Sequence, residues 1–379
     1  MINMEITLKD ISALPPDEYI IADIRSEAEY SAGHITGAVN IPQEKIILTD
    51  ELPHDKIIIV CCKSGIVSTS AAEILREKDY DARSLAGGFA GWLKSKIDED
   101  NTAARTAQIE QSIRKTFHNK LWSRFAKAVT TYELVKPGDS IAVCISGGKD
   151  SMLMAKLFQE LHAHGKFPFD LKFLVMDPGY SPENRAIIEG NAHILGIPVT
   201  VFETDIFGSV FNVKNNPCYL CARMRRGHLY NKAKELGCNK IALGHHFDDV
   251  IETNLMSMIY GGQVQTMLPK LHSSNFEGMQ LIRPMYFIRE ADIIRWKNYN
   301  DLHFLQCACK FTENCASCAP DKETASKRLE IKRLIASLAA KNPQIEHNIF
   351  RSMENINLNS VISYKQDGTI HCFLDGYDD

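Results

Sequence analysis

The sequence predicts an α/β fold in two parts, a small N-terminal α/β domain followed by a doubly wound parallel sheet. Short apolar runs of β type alternate with helical apolar spacing along most of the chain, a pattern typical of parallel sheets covered by helices. The chain has 379 residues, of which 45% are hydrophobic and 24% charged. It is therefore large enough for two domains, and its composition favours a globular protein over a disordered one.

The N-terminal domain contains a cysteine at the end of a strand. Its predicted strands and helices lie at 20–24, 27–31, 56–61 and 68–77. Residues 62–68, called the cysteine loop below, begin with Cys62 and open onto a helix N-terminus. Backbone N–H groups around such a sulfur stabilise a thiolate or a persulfide, although most lone cysteines are structural. Cys61 points away from Cys62 along the strand and is predicted to be core.

Three motifs accompany the cysteine loop in a fixed order. They are Asp23-Ile24-Arg25, residues 33–42 (GHITGAVNIP) and residues 87–92 (GGFAGW). Together they resemble the motifs of rhodanese domains over residues 5–95. The resemblance implies a rhodanese-like domain in which Cys62 carries sulfur as a persulfide. Val67 stands where these domains often have arginine, so we expect a highly charged donor such as thiosulfate to bind less well.

A polar stretch separates the N-terminal domain from the rest of the chain. Residues 97–118 are rich in Lys, Asp, Glu, Gln and Ala and lack turn residues, which predicts a solvated connecting helix or linker. The predicted domains are therefore residues 1–96 and 119–340. A C-terminal extension at 341–379 ends in an acidic tail, for which the sequence predicts no role.

The second domain begins with a strand, a glycine turn and a helix. The strand at 141–145 is followed by Ser146-Gly147-Gly148-Lys149-Asp150-Ser151 and then by helical apolar spacing. Backbone N–H groups and a helix dipole aimed at one point suit a phosphate. The run differs from the GxxxxGK[ST] phosphate loop. It resembles the pyrophosphate loop of the PP-loop ATP-pyrophosphatases, which implies a doubly wound PP-loop domain that binds ATP, adenylates a substrate oxygen and releases pyrophosphate. A plain serine-glycine turn is the alternative.

Further strand ends are expected at the same edge of the sheet. The predicted strands at 171–176 and 240–243 are followed by Asp177 and Gly244. Ligands of such sheets bind outside the carboxyl ends of the strands, so both residues are assigned to the nucleotide site. Asp248 and Asp249 follow Gly244 in the sequence. They could hold Mg²⁺ on the triphosphate, or they could cap the helix that follows. We expect metal or phosphate contact for Asp249 and capping for Asp248.

Six cysteines of the second domain occur in close pairs. They are Cys218 and Cys221, Cys307 and Cys309, and Cys315 and Cys318. Two CxxC pairs ordinarily indicate a Cys₄ zinc site. Almost a hundred residues separate the first pair from the last, however, and an iron–sulfur cluster can take thiolates from distant segments. Three arginines follow the first pair, Arg223, Arg225 and Arg226; we expect them to contact RNA or substrate phosphates, the alternative being a solvated helix face.

Residues 217–230 and 243–253, with Tyr260-Gly261-Gly262, resemble the tRNA 2-thiocytidine synthetase (TtcA) family. The similarity extends over residues 108–340. It implies a [4Fe-4S] cluster held by Cys218, Cys221 and Cys307, with Cys309 as the alternative third ligand. The Cys315/Cys318 pair is an insertion in the family pattern, either a separate metal knuckle or a redox dithiol.

The resemblances imply an ATP-dependent tRNA sulfurtransferase that adenylates a base carbonyl, at C2 of cytidine, and replaces the oxygen with sulfur. Sulfur would come through the rhodanese persulfide and the cluster, from a cysteine desulfurase or another persulfide donor. Two rivals are a PP-loop thiolase for another base or a small molecule, and a persulfide-handling module with a vestigial nucleotide site. The net charge of −4 requires a local basic patch for RNA. Without a signal-type or membrane-spanning run, we expect a cytoplasmic protein with no membrane contact, and a homodimer stays open.

Overall fold

The computed structural model describes residues 4–46, 48, 52–99, 102–210, 217–305, 327–375 and 377. The chain divides into two compact units. The first unit comprises Met1–Phe247 and Pro269–Ala325, and the second comprises Asp248–Leu268 and Ser326–Asp379. Within the described residues, no helix combines the length and apolar character needed to cross a membrane.

The N-terminal domain is built on a five-stranded parallel sheet in the order β1-β5-β4-β2-β3. Its strands are β1 Glu5–Ile6, β2 Tyr19–Asp23, β3 Val39–Asn40, β4 Ile57–Cys61 and β5 Ala82–Leu85. Its helices are α1 Leu8–Ser12, α2 Glu27–Ala32, α3 Gln43–Ile46, α4 Ile66–Glu77 and α5 Gly88–Glu99. The central strand β4 is apolar and buried, as expected of a strand covered on both faces. Cys61 is fully buried in it, which confirms its prediction as core.

The connection to the second sheet is packed rather than solvated. It contains α6 Thr102–Arg114, a π-helix at His118–Trp122 and α7 Ser123–Thr131. Ile109 and Ile113 of α6 are fully buried, and Glu110 of α6 pairs with Lys156 at 2.8 Å. The prediction of a solvated connection is therefore wrong, because Ile109 and Ile113, four positions apart, form an apolar helix face.

The second sheet of the first unit has six strands in the order β10-β11-β9-β6-β7-β8. The strands are β6 Ser140–Ile145, β7 Asp170–Asp177, β8 Val199–Glu203, β9 Lys240–Ala242, β10 Lys270–His272 and β11 Gln280–Ile282. The intervening helices are α8 Lys149–His164, α9 Pro182–Ile194, α10 Ile206–Val210, α11 Pro217–Glu235 and α12 Phe247–Gly261, and α13 Glu290–Tyr299 follows. All strands except β10 are parallel, so the predicted α/β fold is confirmed. Strand order reverses between β6 and β9, and ligands of such sheets bind at the carboxyl edge of that point.

The second unit contains most of α12 together with α14 Lys327–Lys341, α15 Ile345–Arg351 and a hairpin of β12 Ser363–Gln366 and β13 Thr369–Cys372. Polar side chains join its helices. Tyr260 donates a hydrogen bond to Glu330 at 2.5 Å, and Asn254 donates one to the Ile349 carbonyl at 3.3 Å.

Candidate functional site

Cys62 is buried, and its sulfur is contacted by two neutral hydrogen-bonding groups. The Gly65 N–H donates to Sγ at 3.1 Å, and the Ser68 hydroxyl lies 3.2 Å from it. Ser68 in turn contacts the Ser84 hydroxyl at 2.9 Å. Gly65 is the N-cap of α4 in the left-handed region, with φ of 92°. Helix α4 begins at Ile66, within the loop, so its N-terminus and the Gly65 N–H form an environment that suits a sulfur anion.

The GGFAGW segment holds the cysteine loop in place. The Phe89 N–H donates to the Cys62 carbonyl at 2.8 Å, and the Ala90 N–H donates to the Lys63 carbonyl at 3.0 Å. Gly88 has a φ of +56°, and a Cβ there would lie 2.5 Å from the Cys62 carbonyl oxygen. Only glycine fits this close approach.

A buried ion pair supports the loop from the neighbouring strand. Arg25 donates to the Asp23 carboxylate at 2.6 Å and to the Gly33 carbonyl at 2.8 Å. Its guanidinium lies 3.7 Å from the centre of the Phe89 ring. The Asp-Ile-Arg motif therefore positions the segment that covers Cys62. Burial, and then the charge of Asp23, raises the pKa of Cys61, so this thiol stays protonated.

The 146–151 loop joins β6 to α8 as predicted. Gly147 has a φ of +85°, and a Cβ there would lie 2.5 Å from Cγ1 of Ile188. Ser151 Oγ accepts from the Ser146 N–H at 3.1 Å and donates to the Gly148 carbonyl at 3.0 Å. The N-cap residue of α8 is Gly148, which has no side chain to cap the helix. The first turn of α8 thus presents backbone N–H groups suited to an anion.

Lys149 lies between two carboxylates. Its Nζ is 3.1 Å from Asp150 Oδ2 and 3.1 Å from Glu290 Oε1, at the start of α13. Burial alone would lower the pKa of Lys149, but the charges of Asp150 and Glu290 outweigh it and raise that pKa. The ammonium therefore stays charged. Asp150 Oδ1 is buried and accepts no hydrogen bond from the described residues.

Gly244 and Asp177 both lie at strand ends, and their contacts differ. A Cβ on Gly244 would lie 3.2 Å from the Ser151 N, so the end of β9 abuts the first turn of α8. The Asp177 carboxylate accepts from the N–H groups of Gly179 and Tyr180 at 2.8 and 2.6 Å. It thus shapes the turn after β7, a role that the sequence did not predict.

The two aspartates of α12 lie within its first turn. Helix α12 begins at Phe247, so Asp248 is not the capping residue that we expected, although an acidic side chain there still suits the helix dipole. Asp249 accepts from Arg328 at 2.8 Å, and Glu252 accepts from the same guanidinium at 2.6 Å. Among the described residues, no group of three or more potential ligands could hold a metal ion.

The first cysteine pair lies on α11. Cys221 packs against the apolar cluster of Met176 and Ile206, beside the carboxyl end of β7. Cys218 lies three residues earlier, in the first turn of the same helix. The predicted ligands Cys307 and Cys309 and the Cys315/Cys318 pair lie outside the described residues.

The three arginines of α11 differ in exposure. Arg225 is half-buried and donates to the Tyr180 hydroxyl at 3.3 Å, while Arg223 and Arg226 are exposed. Arg225 also lies 5.8 Å from the centre of the Phe207 ring. It is thus the arginine held beside the turn after β7.

The segment before residue 306 contacts both domains of the first unit. The His303 ring meets the Trp92 ring edge-on, with centroids 5.2 Å apart. The Leu305 carbonyl lies 3.7 Å from the position of a Cβ on Gly148, and Lys297 Nζ lies 3.8 Å from that of a Cβ on Gly33. The chain that carries the predicted third ligand therefore leaves the described part of the protein beside the 146–151 loop.

Comparison with known proteins assigns both domains. The rhodanese-like domain family matches residues 7–95, and the PP-loop domain family matches residues 108–309. The chain belongs to the PP-loop family. It is an enzyme of that family with a rhodanese-like domain at its N-terminal side, which confirms the resemblances drawn from the motifs.

Similar proteins cover most of the PP-loop domain. The tRNA-cytidine(32) 2-sulfurtransferase of Coxiella burnetii (strain Dugway 5J108-111) is 34% identical over 254 residues, 66% of this chain and 95% of that protein. That of Anaeromyxobacter dehalogenans (strain 2CP-C) is 32% identical over 255 residues, 66% of this chain and 83% of that protein. Among solved structures, the U34-tRNA thiolase NcsA from Methanococcus maripaludis with its [4Fe-4S] cluster matches 62% of this chain and 79% of that chain, with a TM-score of 0.48 and 23% identity.

Sequence reasoning missed the residues where α13 and the following segment meet the PP-loop. Glu290 is 141 positions from Lys149, and no spacing rule links them. Burial, and then the charge of Lys149, lowers the pKa of Lys297. Burial also lowers the pKa of His303, although Asp301 opposes this. None of these residues belongs to a recognised motif, so no sequence signal could have found them.

Proposed function

We propose that the protein is an ATP-dependent tRNA sulfurtransferase that adenylates the C2 carbonyl oxygen of a cytidine and replaces it with sulfur. One observation carries the proposal. A cysteine loop suited to a persulfide and a loop suited to pyrophosphate occur in one compact unit, and residues 303–305 contact both domains. The similarity to tRNA-cytidine(32) 2-sulfurtransferases supports the choice of tRNA as substrate.

The PP-loop supplies binding and charge for the first step. The carbonyl oxygen attacks the α-phosphorus of ATP and pyrophosphate leaves, so that a poor leaving group becomes AMP. The backbone N–H groups at the start of α8 and the Lys149 ammonium bind the departing phosphates. Lys149 changes partners when the triphosphate arrives, from Asp150 and Glu290 to phosphate oxygens.

Magnesium would bind mainly through the phosphates, because it keeps most of its own water and takes one or two carboxylates. Asp150 fits this role, since its buried Oδ1 accepts no hydrogen bond from the described residues. Asp249 is the other candidate; its carboxylate pairs with Arg328, as that of Asp150 pairs with Lys149 through Oδ2.

A [4Fe-4S] cluster would be held by Cys218 and Cys221 on α11 and by Cys307, or alternatively by Cys309. The described part of the site fits. Cys221 lies among apolar side chains at the carboxyl end of β7, and Cys218 precedes it by three positions on the same helix. When bound through three thiolates, the cluster supplies one iron with an exchangeable position for a sulfur ligand. Arg225 of the same helix holds the Tyr180 hydroxyl beside that edge.

Cys62 would receive its outer sulfur from a cysteine desulfurase or another persulfide donor. The N–H and hydroxyl donors around Sγ stabilise the terminal sulfur anion of the persulfide. Release of that sulfur as sulfide needs two electrons from a thiol reductant. The sulfide then attacks C2 and displaces AMP. Fusion of carrier and consumer in one chain gives an effective concentration of about 1 mM or more.

The test is nucleoside mass spectrometry of bulk tRNA from a deletion strain. The strain is compared with the same strain complemented by the wild-type protein, by Cys62→Ser or by Lys149→Ala. Thiocytidine should be absent without the protein and with Lys149→Ala. Cys62→Ser should fail in vitro with the desulfurase alone, yet work with excess free sulfide. Full thiolation by Cys62→Ser with the desulfurase alone would contradict the sulfur route.

A second measurement separates the rivals. ATP–pyrophosphate exchange in the presence of tRNA should depend on Lys149. Its absence in a folded, cluster-loaded protein would favour persulfide handling with a vestigial nucleotide site. Exchange that is stimulated by another RNA or a small molecule, and not by tRNA, would favour a different substrate.

A further inference from the structure

The segment between α6 and α7 is strongly basic in an acidic protein. From Arg114 to Lys127 the chain has five lysines and arginines and no aspartate or glutamate, while the whole chain has a net charge of −4. A single π-helical turn, His118–Trp122, lies in the middle of this segment. Such turns are rare and occur often at functional sites.

The fold separates the apolar and basic residues of this segment. Leu121 and Phe125 are fully buried. Lys115, Lys120 and Lys127 are exposed, and none of the three forms an ion pair with any residue that the structure describes. Their charges are therefore available to an external partner.

Helix α13 extends the basic surface. Asp292 lies 3.5 Å from Arg124 of α7 and 3.5 Å from Arg295 of α13, so one carboxylate is shared by two guanidiniums. One of these positive charges is left without compensation, and the Arg295 side chain is 70% exposed. Tyr299 is 57% exposed, and its ring meets Phe117 edge-on at 5.5 Å. An exposed aromatic ring thus lies among the cations.

The surface lies close to the pyrophosphate loop. Helix α13 begins at Glu290, which contacts Lys149 at 3.1 Å, and ends at Tyr299. At 1.5 Å per residue, these ends are about 13 Å apart. A polyanion on this surface could therefore reach the loop with a neighbouring group.

We propose that this surface, formed by Lys115, Lys120, Arg124, Lys127, Arg295 and Tyr299 and called the α7–α13 surface, binds the phosphodiester backbone of the tRNA substrate. The inference rests on the proposed function. Dispersed cations, of which three lysines have no ion pair among the described residues and two arginines share one carboxylate, suit a chain of phosphates. A nearby exposed ring suits an unstacked base, which favours RNA over an acidic protein.

The test is binding of bulk tRNA to the full-length protein, measured by fluorescence anisotropy from about 50 to 200 mM KCl. The variant Lys115→Gln/Lys120→Gln/Lys127→Gln removes three cations without opening an ion pair. Each lost phosphate contact should reduce the slope of log K against log salt by about 0.7–0.9, so the slope should fall by about two to three. A control with three exposed lysines elsewhere, Lys9→Gln/Lys45→Gln/Lys166→Gln, should keep the wild-type slope.

Tyr299 adds a distinct readout. Tyr299→Ala should weaken tRNA binding by about tenfold with the salt slope unchanged, because stacking involves no counterion release. Tyr299→Phe should retain the wild-type affinity, since it keeps the ring. ATP affinity should be the same in all variants.

The outcomes distinguish the surface from the function. A triple variant with the wild-type slope would overturn the α7–α13 surface while tRNA remains the substrate. A wild-type protein that binds tRNA without salt dependence would overturn the surface alone, whereas one that does not bind tRNA would overturn both. Poly-glutamate that competes with tRNA as well as an equal charge of unlabelled tRNA would overturn the assignment to RNA.

Discussion

Replacing Gly88 with alanine tests whether the GGFAGW segment shapes the cysteine loop. Gly88 has a φ of +56°, and its new Cβ would lie 2.5 Å from the Cys62 carbonyl oxygen and 2.7 Å from the Gly65 N. Both neighbours are backbone atoms, so neither can rotate away. The loop must move, and it carries the thiol.

The structure gives the size of the effect. A left-handed alanine costs about 1–2 kcal/mol. Displacing the loop also weakens the bond from the Phe89 N–H to the Cys62 carbonyl, 2.8 Å long, and the bond from the Gly65 N–H to Cys62 Sγ, 3.1 Å long. Each contributes about 1 kcal/mol. Gly37→Ala is the matched control, because Gly37 has a φ of +83° and nothing within 4 Å of its Cβ position.

The assay is hydrogen exchange by mass spectrometry on the peptide that covers residues 62–68 in the full-length protein. Beyond the backbone strain, Gly88→Ala should lower the free energy of opening of the loop by about 2 kcal/mol, the sum of the two weakened hydrogen bonds. Amide exchange in this peptide should therefore be about thirtyfold faster than in wild type. Sulfur transfer from a desulfurase to Cys62 should slow as well. Gly37→Ala should leave the exchange rate of this peptide and the rate of sulfur transfer unchanged. Equal exchange in the two variants, with normal sulfur transfer, would refute the reasoning.

Three further predictions concern the PP-loop domain. Gly147→Ala should weaken ATP binding, measured by equilibrium dialysis, by about tenfold or more, because it adds a side-chain clash to the backbone strain. The control Gly138→Ala should keep the wild-type ATP affinity, since Gly138 has a φ of +82° and nothing within 4 Å of its Cβ position. Burial lowers the pKa of His303 from 6.5, so its contribution to stability is complete above pH 6.5 and is lost as pH falls below it. Urea unfolding against pH should show this loss in wild type and not in His303→Gln, and a wild-type profile flat from about pH 7 to 5 would contradict it. Anaerobically purified protein should hold about four irons per chain. Cys221→Ala should lose them and the buried Cys144→Ala should keep them, whereas zinc bound in place of iron would count against the cluster.

Local patterns were enough for the two strand–loop–helix units that carry the functional loops. The strand–loop–helix units around Cys62 and around residues 146–151 are contiguous in sequence, so apolar periodicity and glycine positions define them. Gly244 could be assigned to the sheet edge because the carboxyl ends of parallel strands converge there. Its contact with the first turn of α8 agrees with that argument.

Long-range pairing could not be predicted. The approach of Glu290 to Lys149 depends on how α13 packs, which one sequence does not encode in any local pattern. Asp177 shows that position at a strand end does not by itself identify a ligand contact. Its position at a strand end is typical of a ligand contact, yet its carboxylate accepts two N–H groups of its own turn. Side chains at this edge of the sheet can hydrogen-bond to the local backbone or to a ligand, and residue type alone does not tell which of the two they do.

The two sites differ in the kind of charge that their groups suit, and this difference bears on how the proposed reaction would be divided between them. Cys62 is surrounded by neutral donors, a backbone N–H and a hydroxyl, which stabilise a single sulfur anion without binding a polyanion. Lys149 is a charged donor already matched by two carboxylates, so a triphosphate must outcompete them to bind. Neither set of groups can replace the other. In the proposed reaction, sulfur capture and nucleotide activation would therefore use separate sites, and residues 303–305 contact both of the domains that carry them.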